Sequence, residues 1–466
     1  MSEILLVEPC FRSKFPPLGL MRLSTYHKGM GDTVVFVRGK DTSMQARKWD
    51  RVYVASLFTW ELPKTLEMLR FYAKSVPSER DLIVGGIGAT LMPDFFKDKI
   101  GCRVVQGLIN QVNMLGHGSR AVAHMTPDYD LFHAVDYNYK PLDAYFVRVT
   151  QGCPNSCNFC AVPKLEPKFG HLHDLKQQIE TIKSQYSDKQ DLIVLDNNIL
   201  ALPSFNRVIE QIIDCGFSQG ARIRGRKRIV DFNQGIDARL IARNPSLAKQ
   251  LGRIPVDPIR LAFDFLSRSM ERDYRSAVKL LAEQGFNSFT TYLLYNYHDS
   301  PEDFYRRLEI NAELNEELGI RISGFPMRYI PITDLKRGYV APKWNWRWLR
   351  GIQCVLQATH GLVSPNPIFM RAAFGKNRDE FFRILSMPDR YIIYREHYKS
   401  TGETTDWTRK FGRLSADNKK DLFAVLERLN KERDKSSAAE KLFKLRGIVD
   451  HYYPRREKPG GDIFRE

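Results

Sequence analysis

Short apolar runs alternate with stretches of helical period over the first third of the chain. Ile4-Leu5-Leu6-Val7, Val34-Val35-Phe36-Val37, Arg51-Val-Tyr-Val-Ala-Ser-Leu57 and Asp81-Leu-Ile-Val-Gly-Gly86 each read as a short buried strand. Between the first two, PPLGLMRLSTYHKGMGD from Pro16 to Asp32 reads as a loop and a helix. Strands and helices in strict alternation predict a doubly wound parallel sheet, whose ligands sit at strand C-termini. This pattern is expected to fill residues 1–130.

A second alternating series starts near Ala144. Its strands are Ala144–Thr150, Asp191–Asn198, Ile229–Gly235, Ile259–Asp264, Ser288–Asn296 and Ile320–Pro326. Helical patterns follow at Phe205–Cys215 and from Ala238-Arg239. Ser300-Pro301-Glu302-Asp303 predicts an N-cap, a proline at the first helical position and acids in the first turn. Three of these six strands end in Asp or Asn. Parallel β/α units place functional groups at strand C-termini, so the endings predict one polar rim around one cavity. Residues 131–335 are expected to form this second domain. From 336 to 466 the pattern becomes mainly helical, as in Arg378–Leu385 and Lys419–Leu429.

Composition adds limits. At 466 residues, 43% of them hydrophobic, the chain can bury more than one core. No window holds the apolar run of a membrane span. MSEILLVEPC lacks the basic region, long apolar stretch and cleavage site of a signal peptide. Cytoplasmic placement and no membrane contact are therefore expected. A net charge of +17 suits a polyanionic partner or a solvated basic surface. Two segments concentrate that charge: Arg222-Ile-Arg224-Gly-Arg226-Lys227-Arg228, and Lys343-Trp344-Asn-Trp346-Arg347-Trp348-Leu-Arg350. Aromatics among arginines suit stacking on exposed bases. Residues i, i+2 and i+4 cannot share one helical face, however, so some of these tryptophans are expected to pack inward.

Three of the seven cysteines fall within QGCPNSCNFC, at Cys153, Cys157 and Cys160; Cys10, Cys102, Cys215 and Cys354 stand alone. An odd count with one cluster does not make a disulfide framework. Structural zinc would need a fourth ligand, such as His171 or His173. A redox pair would leave one thiol unexplained. Three thiolates on an iron–sulfur cube leave one iron open, and the Pro154-Asn155-Ser156 turn lets the sulfurs converge.

The segment resembles the signature of radical S-adenosylmethionine (radical SAM) enzymes: C-x3-C-x2-C with an aromatic, Phe159, before the last cysteine. The resemblance implies a 4Fe-4S cluster on Cys153, Cys157 and Cys160 whose open iron is chelated by S-adenosylmethionine. It implies an α/β architecture in which a Rossmann-like sheet precedes a partial TIM-type (β/α)6 barrel and a helical extension. Leu195-Asp196-Asn197-Asn198 is similar to the second-strand segment facing the SAM amino group or substrate. Phe232–Asp237 is similar to the third-strand tip, with Gln234 and Arg239 as its polar candidates, and the turn at Asn296 to the one passing under adenine. The family's Gly-Gly-Glu segment is not evident. The alternative reading makes such Asp and Asn residues helix caps and turn residues.

Pro16-Pro17-Leu18-Gly19, SLFTWELP and Val84-Gly85-Gly86-Ile-Gly-Ala89 resemble the cobalamin-binding domain ahead of many radical SAM barrels. Gly85 and Gly86 are the implied contacts. The Asp-x-His-x-x-Gly segment that offers an axial histidine is absent, which leaves either a cobalamin site without that ligand or a retained scaffold sheet. The implied activity is a transferase-type modification of an unactivated carbon, with cobalamin-dependent methyl transfer as one form of it. Expected partners are a single-stranded or flipped nucleobase or a small anionic substrate, and an electron donor such as flavodoxin or ferredoxin. A competing reading is a nucleic-acid-binding protein with a structural metal site.

Overall fold

The protein is described by a computed structural model covering residues 1–116, 118, 120–431 and 439–453. The chain divides into two compact units. The first holds Met1–Ala262, Asp273–Ser288 and Ile330–Tyr339; the second holds Phe263–Arg272, Phe289–Tyr329 and the chain from Val340 onward. Among the described residues no helix is long and apolar enough to cross a membrane.

The first unit opens with strands β1 (Glu3–Glu8), β2 (Thr33–Arg38), β3 (Arg51–Ala55), β4 (Leu82–Gly85) and β5 (Arg103–Val104). They form one parallel sheet in the order β2-β1-β3-β4-β5. The four apolar runs read from the sequence are its first four strands. The fifth has only two residues, Arg103 and Val104, and earns its place by pairing with Ile83 and Val84. Leu5, Val7, Val52, Val54, Leu82 and Val84 bury their side chains against Leu62, Leu66 and Leu69 of the helix Leu62–Tyr72. A central strand of a parallel sheet is covered on both faces, which is why β1 is apolar almost throughout.

The second sheet of this unit is also parallel, with β6 (Ala144–Val147), β9 (Asp191–Val194) and β12 (Val230–Phe232) in the order β12-β9-β6. A short antiparallel ribbon, β7 (Thr150–Gln151) with β8 (Gly170–His171), hangs from the tip of β6. A second ribbon, β10 (Arg222–Ile223) with β11 (Arg226–Lys227), precedes β12. Parallel bridges Val230–Val256 and Ile236–Leu261 carry the pattern on to β13 (Ile259–Ala262). In the second unit β14 (Ser288–Tyr295) lies beside β15 (Arg321–Arg328). The helix Pro301–Leu318 follows β14 with the expected start: Ser300 and Asp303 form a reciprocal capping box with Pro301 at the first turn. The remainder is helical, including Trp346–Ala358, Arg378–Ser386 and Ala416–Lys431.

Candidate functional site

The cysteine loop leaves the C-terminal end of β6, and two carboxylates fix its entry. Asp196, just past β9, accepts the backbone N–H groups of Val149 and Thr150 and, at 2.6 Å, the Thr150 hydroxyl. Burial raises the Asp196 carboxyl above its ordinary range, against these three donors. Glu166 accepts the Gly152 N–H at 2.6 Å and Asn197 Nδ2 at 3.3 Å, and pairs with the Arg148 guanidinium. Gly152 has φ +69°, and a Cβ there would stand 2.4 Å from the Lys168 carbonyl oxygen. Only glycine fits a left-handed backbone wedged against another chain segment.

Beyond that anchor the three cysteines follow, all half-buried. Cys160 N–H closes a turn on the Cys157 carbonyl at 3.0 Å, and Val162 N–H donates to Cys160 Sγ at 3.4 Å. Burial pushes the solitary thiols Cys102, Cys215 and Cys354 up to about 11, so each stays protonated. Among the described residues no three His, Cys, Asp or Glu side chains stand close enough to share a single ion. His171 is exposed opposite Thr150 in the ribbon, and His173 Nδ1 faces His124 Nδ1 at 3.2 Å instead of a cysteine. Burial lowers the His173 imidazole to about 4, with His124 and two arginines adding to the shift.

A third tether joins the loop to the next strand tip. Asn155 Nδ2 reaches Asp237 Oδ2 at 3.2 Å, and Arg239 grips the same carboxylate at 2.6 and 2.8 Å. Burial raises the Asp237 carboxyl, but the Arg239 contacts outweigh it and hold the group below its ordinary range. Asp196, Asn197 and Arg239 therefore all touch the residues that shape the cysteine loop. Phe159 sits half-buried on the loop itself. Gln234 is exposed, with its amide on Asn233 Oδ1 at 3.2 Å. Asn296 lies in the second unit, fully buried at φ +66°, where it bonds Tyr329 O and Ala341 N. Sequence reasoning missed Glu166, a lone acid in a loop. It also passed over Asn198 within the quoted segment: its Oδ1 is buried at the end of β9 with no protein donor.

At the first sheet Gly85 ends β4, and Gly86 has φ +100° with a Cβ position 2.4 Å from the Ser56 carbonyl oxygen. Gly86 is thus required by the packing of β3 against β4, whatever else it serves. Around it Phe58 and Trp60 stack at 4.5 Å, Trp60 is 39% exposed, Ile87 is 45% exposed, and Ser56 Oγ is buried without a partner. Trp60 and Ile87 thus leave an exposed apolar ledge beside a tight glycine turn. At the neighbouring strand ends Glu8 is buried, bonded to the Tyr139 hydroxyl and paired with Arg38.

No family model matches the chain, and no curated protein matches it. Among solved structures it is similar to OxsB, described as a cobalamin-dependent S-adenosylmethionine radical enzyme with aqua-cobalamin bound. The TM-score is 0.50 at 15% sequence identity, over 73% of this chain and 55% of that one. The fold resembles that of OxsB. At this identity the likeness is one of fold, and the chain spans about half the length of OxsB. HydG, a maturase of the FeFe-hydrogenase, matches at TM-score 0.30 and 16% identity, over 42% of this chain and 46% of that one.

Basic segments that suggested nucleic-acid contact are largely engaged. Arg224 and Arg226 pair with Asp143 at 3.1 and 3.3 Å, and the buried Arg228 bonds Asp188 at 2.7 Å. Trp344 is buried with its indole N–H on Asp299, and Trp348 packs on Phe382 and Phe423, as the spacing of the tryptophans implied.

Proposed function

We propose that the protein is a radical SAM enzyme modifying an unactivated carbon, with Cys153, Cys157 and Cys160 holding a 4Fe-4S cluster whose open iron takes S-adenosylmethionine. The observation that carries this reading is the thiol loop at the β6 tip, pinned by Asp196 and Glu166 and donating an N–H to Cys160 Sγ. When bound, the cluster supplies the electron that splits the sulfonium into methionine and a 5′-deoxyadenosyl radical. The protein's own share is placement. Asp196 and Glu166 fix the loop entry, and Asn155–Asp237–Arg239 ties its middle to the next strand tip. We assign the unpartnered Asn198 Oδ1 to the SAM ammonium, since a buried acceptor without a donor is costly until one arrives. The run of strand and helix from residue 144 to 328 supports a partial (β/α)6 barrel as the frame.

Cobalamin is the proposed second cofactor, against Trp60 and Ile87, with methyl transfer as the reaction it would serve. A nucleobase or another anionic molecule is the proposed substrate, given the net charge of +17, and a small electron carrier such as flavodoxin or ferredoxin the reductant. The test is anaerobic reconstitution with iron and sulfide. Wild-type chain should turn brown and release 5′-deoxyadenosine from S-adenosylmethionine. Cys153→Ala, Cys157→Ala and Cys160→Ala should each lose iron and cleavage, whereas Cys10→Ala, Cys102→Ala, Cys215→Ala and Cys354→Ala should keep both. Full iron loading in Cys157→Ala would sink the assignment.

A further inference from the structure

Within the helical part of the second unit, a cavity of about 570 Å³ opens between the helix Trp346–Ala358 and the segments carrying Asp389, Arg390 and Tyr452. Its volume falls in the range of small-molecule sites. The lining is chemically selective: three guanidinium groups, from Arg347, Arg350 and Arg390, stand against one carboxylate, Asp389, with Trp346 and Tyr452 supplying aromatic surface.

Two carboxylates already engage the cluster, Glu403 Oε2 taking Arg390 Nη2 at 3.2 Å and Asp389 taking the other two arginines, which leaves one guanidinium charge in excess. Arg347 Nη1 reaches Asp389 Oδ1 at 2.7 Å and Arg350 Nε reaches Oδ2 at 2.6 Å. Arg347 is 2% exposed, yet its Nη2 has no acceptor among the protein atoms; Arg390 Nε is likewise buried without one. A buried guanidinium that leaves donors unmatched carries a desolvation cost that an incoming anion removes. Arginine in such a fork suits the oxygens of phosphate, and aromatic rings beside it suit a planar base.

We propose that this cavity binds a nucleoside 5′-phosphate, the phosphate on the Arg347–Arg350–Arg390 cluster and the base against Trp346 and Tyr452. The phosphate comes either from a free nucleotide or from the 5′ end of a strand, and the shared group is what the cavity recognises. The site is independent of the cysteine loop.

Titration calorimetry on the full chain tests it, with S-adenosylmethionine in excess so that adenosine pockets elsewhere are filled. The probes are the four common nucleoside 5′-monophosphates, the corresponding nucleosides and inorganic phosphate. At least one monophosphate should bind at least tenfold tighter than its nucleoside and than phosphate alone. Arg350→Gln, whose loss leaves Asp389 held by Arg347, should weaken that binding roughly tenfold, the scale of one charge-assisted contact. Trp346→Leu should weaken the nucleotide and leave inorganic phosphate unchanged. Both variants should keep the wild-type melting temperature and iron content, which separates loss of the site from loss of fold. A 5′-phosphorylated tetranucleotide that competes, beside a 5′-hydroxyl one that does not, assigns the site to strand ends; failure of both to compete assigns it to free nucleotide. The proposal is overturned if no monophosphate outbinds inorganic phosphate, or if Arg350→Gln and Trp346→Leu bind as tightly as wild type.

Discussion

The first unit contains two parallel sheets, and their C-terminal rims are built for opposite tasks. At the β6-β9-β12 rim the polar groups are mostly spent on one another: Asp196 on the backbone of Val149 and Thr150, Glu166 on Gly152 and Asn197, Asp237 on Arg239. At the β3-β4 rim the exposed groups are apolar, Trp60 and Ile87, beside the orphaned Ser56 Oγ. One rim holds a loop still; the other offers a surface. Strand-and-helix architecture is common to both, so the difference lies in which side chains end the strands.

The largest way to break this contrast is at Gly152. An alanine there must adopt φ +69° and place its Cβ 2.4 Å from the Lys168 carbonyl, which costs about 2–4 kcal/mol. Gly152→Ala should lower the unfolding free energy by that amount and abolish iron loading. Wild-type iron content in a folded Gly152→Ala protein would show that the loop tolerates movement. A step smaller is Asp196→Asn, which keeps the shape but replaces an oxygen that accepts N–H by an NH₂ that cannot. The expected loss is about 1.5–3 kcal/mol, with iron per chain reduced and SAM cleavage falling further. Unchanged iron in this variant would mean that Glu166 and the Asn155–Asp237 tether anchor the loop without Asp196.

The third test is pH, and it probes the neighbouring end of the first sheet. Burial raises the Glu8 carboxyl from 4.5 to about 7, against the Tyr139 hydroxyl and Arg38, which pull it down. A folded pKa above the unfolded one means that the folded state holds the extra proton between these values. Stability from Glu8 is therefore fully present below about 4.5 and is lost as pH rises through about 7. The swing is at most about 3 kcal/mol. Glu8→Gln should flatten that part of the stability profile, and an identical slope in the variant would remove Glu8 as its source.

How much of this was readable in the sequence depends on the range of the interaction. β1 to β4 were legible because each is an uninterrupted apolar run, and the Ser300 capping box because its four residues are adjacent. β5 was not, since two residues carry no period and only pairing with Ile83 and Val84 makes Arg103 and Val104 a strand. The three cysteines stand out by their spacing, and Asp196 and Asn197 by their place just past a strand. Their partners do not: Asp196 works on a backbone 46 residues away, and Glu8 meets Tyr139 across 131 residues. The pair His124–His173 was hidden for the same reason, and with it the fact that His173 faces another imidazole.

The smallest expected effect on stability is also the sharpest test of the surface rim. Gly86 is a poor probe, because any side chain there strikes the Ser56 carbonyl whether or not a ligand binds. Ile87 and Trp60 are better. Ile87→Ser removes an exposed apolar group from the first turn of the helix Ile87–Leu91 and should change stability by no more than about 0.5 kcal/mol. Trp60→Ala gives up its stack on Phe58 and the Arg337 guanidinium 4.7 Å from its ring, a loss of about 1 kcal/mol. If the ledge holds the corrin, both variants should stay folded and keep iron, yet lose the corrin absorbance that wild-type protein retains through gel filtration. Corrin retained equally by Ile87→Ser, Trp60→Ala and wild type would place the cofactor elsewhere. Corrin retained by none of them, even in large excess, would make the first sheet a scaffold and leave the β6-β9-β12 rim as the seat of the chemistry.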